Sequence, residues 1–74
     1  MTRYDLTAVI EREGDWYVGT CPEVDVVSQG RSIEEARANL AEAVGAFIEA
    51  ASPEEIANKL HGEVYVTRLE VKVA

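Results

Sequence analysis

The sequence predicts an α+β fold: a two-layer sandwich in the order β-β-β-α-(short α)-β, with one main helix packed on an antiparallel-rich sheet. Three observations carry this expectation. Residues 33–51 hold an amphipathic helical pattern long enough to bury a face. Three short β-prone runs separated by turn residues precede it, and residues 63–73 alternate as a strand after it. A helix between the third and fourth strands must return across one face of the sheet, so the opposite face is expected to be uncovered.

The first strand is expected within residues 3–12, where Tyr4, Leu6, Ala8 and Ile10 fall on one face and Arg3, Asp5, Thr7 and Glu11 on the other. Glu13-Gly14-Asp15 then supplies a turn, because Gly accepts positive φ and Asp bonds its own backbone. The run WYVGTC completes a hairpin. Pro22-Glu23 interrupts it, and VDVVS forms a short third strand closed by Gln29-Gly30.

Ser32 and Glu35 have capping-box spacing, which sets the start of the main helix. From Ile33 on, Ala36, Arg37, Leu40, Val44, Phe47, Ile48 and Ala51 share one side of the cylinder, and that stripe is expected to face the sheet. A narrower face carries Ala38, Ala41 and Gly45, small residues open either to solvent or to another helix. Ser52-Pro53 stops the helix, and the same serine, with Glu55, starts a short second helix ending near His61-Gly62. In the last run, Tyr65, Leu69, Val71 and Val73 lie opposite Glu70 and Lys72.

A chain of 74 residues is expected to form a single domain spanning residues 1–74, small enough that oligomerisation would be an economical source of stability. One cysteine permits no internal disulfide, and Met1 leads directly into charged, β-prone residues, so the expected compartment is the cytoplasm. No apolar run reaches the roughly 18–20 residues that span a bilayer. With fourteen acidic and seven basic side chains, the net charge of −7 disfavours direct nucleic-acid binding, which needs clustered Lys and Arg. It suits a cationic protein partner, or simply keeps the chain soluble.

Candidate chemistry is sparse. Cys21 and His61 are the one possible nucleophile-and-base pair, and nothing in their spacing brings them together; Cys21 reads as a small buried hydrophobe and His61 as a helix-end residue. A minimal hydrolase built on them, or on a carboxylate pair, is the alternative from the enzyme class. One His, one Cys and no C-x-x-C or H-x-x-x-H spacing exclude a zinc site, and Asp5, Glu11, Glu23 and Asp25 read as a solvated face rather than a Mg²⁺ site. The glycines form no phosphate-binding loop. No enzyme activity, cofactor or metal is expected.

Residues 17–44, YVGTCPEVDVVSQGRSIEEARANLAEAV, carry a constellation that resembles the HicB-like antitoxin family. It consists of the strand led by Tyr17-Val18, Cys21-Pro22-Glu23, the Ser28-Gln29-Gly30 turn, the helix start Ser32-Ile33-Glu34-Glu35-Ala36, and Asn39-Leu40 with Glu42-Ala43. With the hairpin before it and the final strand after it, the resemblance extends over nearly the whole chain. It implies a β-β-β-α-β domain of partial RNase H-like type that binds and neutralises a small basic mRNA-cleaving toxin (HicA-like). The chain reaches Ala74 after one strand, so no appended DNA-binding domain is expected, and an orphan oligomeric module without a toxin is the alternative. Within the module, Tyr17, Pro22, Glu23 and Asp25 are expected near the toxin. A homo-oligomer, most simply a dimer, is expected through a strand edge or the open face, with Val64 and Val66 of the final strand at the contact.

Overall fold

The computed structural model describes residues 2–60 and 62–74. Its elements are β1 (Val9–Glu13), β2 (Trp16–Cys21), β3 (Val26–Gly30), α1 (Ile33–Ala50) and α2 (Pro53–Lys59). The strands form an antiparallel sheet in the order β1-β2-β3. Both hairpins follow from local chemistry. Gly14 turns the first at φ 61°, and Glu13 pairs with Trp16 directly across it. Between β2 and β3, Val24 donates its N–H to the Cys21 carbonyl at 3.3 Å and Asp25 takes φ 55°, a conformation Asp tolerates better than most residues.

Three expectations about strands are corrected. β1 starts at Val9 rather than Arg3, because β2 gives way at Pro22 to the turn and offers no further rung opposite the earlier residues. β3 starts at Val26 rather than Val24, because Val24 and Asp25 form the turn and the Val24 side chain is buried in the core. Residues 63–74 form no strand: in the isolated chain they lie exposed and without a neighbouring backbone. Among the described residues their hydrogen bonds and ion pair are local, joining Tyr65 to Glu63, Thr67 to Arg68 and Lys72 to Glu70. Periodicity sets which side chains share a face; it cannot supply the partner that makes a strand.

The helices start where expected. Ser32 accepts the Glu35 N–H at 3.0 Å, and the Glu35 carboxylate takes the Arg31 N–H at 3.0 Å. Ser52 and Glu55 form a full capping box on α2, with Pro53 in the first turn. The end expected at His61 lies outside the described residues. Of the stripe on α1, Ala36, Leu40 and Val44 are buried. Leu40 and Val44 meet Cys21 and Val24, with Leu6, Val26, Phe47, Ile48 and Leu60 packed around them. Ala38 and Ala41 are exposed.

Two glycines let α1 lie close to the sheet. A Cβ on Gly19 would touch the Leu40 side chain at 3.4 Å, whereas one on Gly30 would stand 2.6 Å from the Ala36 nitrogen and 2.8 Å from the Glu35 carbonyl carbon. Those are backbone atoms of the first helical turn and cannot swing aside. The helix consequently packs chiefly on β3 and β2 and barely reaches β1. On the other face, the pleat places Val9, Val18 and Val27 with Trp16, and Arg31 sits over the Trp16 ring at 4.0 Å. Val27 is 60% exposed, so this face is open.

Gly30→Ala is expected to cost about 1–3 kcal/mol or more, the range for forced overpacking. Gly45→Ala, where an added Cβ meets nothing within 4 Å, is expected to stabilise by about 0.5–1 kcal/mol through helix propensity. Urea denaturation of the two variants checks both signs.

Candidate functional site

The most connected polar group is Glu23, in the turn after β2. Its carboxylate accepts the Thr7 N–H at 3.0 and 3.1 Å and the Thr7 hydroxyl at 2.7 Å, and it lies 3.5 Å from the Cys21 Sγ. Where the β1–β2 ladder stops, a side chain replaces the missing rung. Desolvation acts to raise the Glu23 pKa and is the largest single influence. The hydrogen bonds from Thr7, its own N–H and Cys21 together outweigh it, so the carboxyl titrates below its ordinary value. Cys21 is shifted the other way: burial first, then the hydrogen bond and negative charge of Glu23, raise its pKa. A neutral, buried thiol is a poor nucleophile.

The other residues expected at a partner surface are placed differently from one another. Tyr17 is half-buried on β2 opposite Gly30, on the helix side of the sheet. Asp25 is exposed at the turn and pairs with Lys59 of α2 at 3.2 Å. Pro22, Glu23 and Asp25 line one side of an open concavity of about 450 Å³, and Asn58, Lys59 and Val64 line the other. Thus the turn and the root of the C-terminal arm come together, while Tyr17 lies apart from them. Val66 is 69% exposed farther along the arm. The His61 half of the Cys21–His61 pair lies outside the described residues.

Two functional-looking features were not evident from sequence. Thr7 reaches Glu23 across sixteen positions, a separation no local motif encodes. The second feature is a groove of about 470 Å³ between residues 4–8 and α1, with Arg37, Ala41 and Ile48 on the helix wall and Cys21, Leu40 and Val44 beneath. It exists because α1 leans toward β3. The clue available in sequence was the face of small residues that includes Ala38 and Ala41, which line that wall and leave it low.

Among the described residues there is no group of three or more His, Cys, Asp or Glu placed to hold a metal ion. Among the described residues, no helix is long and apolar enough to cross a membrane. No protein-family model, curated protein or solved structure matches the chain.

Glu23→Gln is expected to lower stability at neutral pH by about 1–3 kcal/mol, the scale of a hydrogen-bonded charged group that loses its charge. The sign with pH follows from the depressed pKa. The carboxylate's contribution is complete above its unfolded value near 4.5 and is lost as pH falls through the lower folded value. Thermal unfolding between pH 7 and 3 is therefore expected to show a shallower acid loss in the variant than in the parent.

Proposed function

We propose that this chain is a protein-binding module of the antitoxin type, which holds and neutralises a small basic mRNA-cleaving toxin and performs no catalysis itself. The observation that carries the reading is its surplus of unpartnered surface acid. The net charge is −7, and among the described residues only three ion pairs form: Arg3–Asp5, Lys59–Asp25 and Lys72–Glu70. Glu34, Glu42 and Glu49 on α1, Glu54 on α2 and Glu11, Glu13 and Asp15 on the first hairpin stand exposed outside those pairs. A cationic protein gains from such a surface in encounter rate and selectivity.

The resemblance to HicB-like antitoxins supports the same class of partner, and the raised Cys21 pKa speaks against thiol chemistry. The concavity between the Pro22–Asp25 turn and the root of the arm is the contact region proposed for the toxin. DNA contact through this chain alone is not part of the proposal, and the compartment proposed is the cytoplasm. A module that assembles with itself and has no toxin is the second reading, favoured by the exposed apolar arm.

Co-expression with the product of any adjacent small basic reading frame, followed by native mass spectrometry, tests the reading. A stable complex is expected. Its association rate is expected to drop at least about tenfold between low and high salt, as steering is screened. Asp25→Asn removes one acid without disturbing a positive-φ turn, and it is expected to slow association further. Binding indifferent to both salt and Asp25 would sink the assignment.

A further inference from the structure

The C-terminal arm and the free edge of β1 are complementary, and each lacks what the other supplies. Among the described residues, six of the ten large hydrophobics left exposed lie in the arm: Val64, Tyr65, Val66, Leu69, Val71 and Val73. A chain of this length has a radius of gyration of about 11 Å when compact. This one measures 14.4 Å, with a longest extent of 48 Å. The arm therefore stands away from its own core.

The receiving edge can be read rung by rung. Glu13 and Trp16 close a two-residue turn as a hydrogen-bonded pair, so Glu13, Glu11 and Val9 direct their backbone groups at β2, and the Thr7 N–H follows the same sense toward Glu23. Leu6, Ala8, Ile10 and Arg12 then direct theirs outward, and no described group bonds them. Ile10 lies opposite Gly19, which faces Leu40, so Leu6, Ala8 and Ile10 share the helix side of the sheet.

We propose that two copies of this chain exchange arms, residues 64–73 of each adding as a strand to the outer edge of β1 in the other and closing the groove beside α1. Residues 67–73 match the edge from Leu6 to Arg12 in length, each about 23 Å when extended. With Leu69, Val71 and Val73 turned into the groove, Arg68, Glu70 and Lys72 fall on the opposite face, a net single positive charge, where Asp5, Glu11 and Glu13 of the receiving copy lie. Charge complementarity thus selects the orientation of the arm's two faces. The low wall at Ala38 and Ala41 leaves room for the apolar row.

A second copy is the occupant because it satisfies both arms and both edges at once under two-fold symmetry. Arm, edge and helix wall bring about 20 residues of each copy into contact, within the roughly 20–30 a side of stable interfaces. The exchange needs only this chain, so it stands or falls separately from the toxin proposed above.

Light scattering of the purified chain at micromolar concentration is expected to give twice 8.1 kDa. Leu69→Asp on the exposed arm, and Ala8→Pro, which deletes an outward N–H from the edge, are each expected to return it to 8.1 kDa with the helical circular dichroism retained. In a mixture of isotope-labelled and unlabelled chains, filtered NOEs are expected between the methyl groups of Val71 and those of Leu6 or Ile48 across copies. A monomeric parent chain, dimers that survive both substitutions, or NOEs confined within one chain as when the arm folds onto its own β1, would each overturn the proposal.

Discussion

The arrangement depends on one close approach, that of the first turn of α1 to the end of β3. Gly30 has no side chain where the Ala36 nitrogen and the Glu35 carbonyl carbon sit, and any Cβ there would overlap backbone. Because the helix start is also fixed by Ser32 and Glu35, position and approach are set together. Asn39 adds a further tie, donating its side-chain amide to the Gln29 carbonyl at 2.8 Å. A helix held so firmly over β3 cannot cover β1 as well. The groove at the β1 side is the geometric remainder of that constraint.

Glu23 answers a second consequence of the same layout. Pro22 ends the β2 ladder, yet Leu6 must still be held against the core. The carboxylate does this by taking both the N–H and the hydroxyl of Thr7, so a charged side chain stands in for a strand. It is able to do so because the charge is fully hydrogen-bonded, which offsets the cost of its partial burial. An acid that looked like a free surface group in the sequence is thereby bound into the structure, and of the two acids at this turn Asp25 is the one left facing outward.

The elements whose determinants are local were legible in sequence. Two capping serines, a Gly-Asp turn and a period of 3.6 residues placed both helices and the turn of the first hairpin within a residue or two. The stripe of Ala36, Leu40 and Val44 was legible for the same reason, since spacing along a helix converts directly into a face. What was not legible depended on distant backbone. Tyr65, Leu69, Val71 and Val73 alternate as a strand should, but pairing is a property of two segments, and among the described residues none pairs with these. Thr7 and Glu23 meet only after the β2–β3 turn has formed, and the turn consumed Val24 and Asp25, which by composition looked like strand.

The acidity of the chain sets a condition on its self-association. Two copies each carrying −7 repel at long range, but at physiological ionic strength charges more than about 8 Å apart are largely screened, so contacts at the interface decide. Five of the seven Lys and Arg side chains lie outside the arm; Arg68 and Lys72 are the two within it. Placed as a strand beside β1, those two meet the acids of the first hairpin and leave the carboxylates on the outer face of α1 and on α2 exposed. An exchange of this kind would use Glu11 and Glu13, two of the acids counted toward a cationic partner, and would leave the helical acids exposed. The exchange and the partner site would share Val64 at the root of the arm, so the two contacts would be coupled rather than independent.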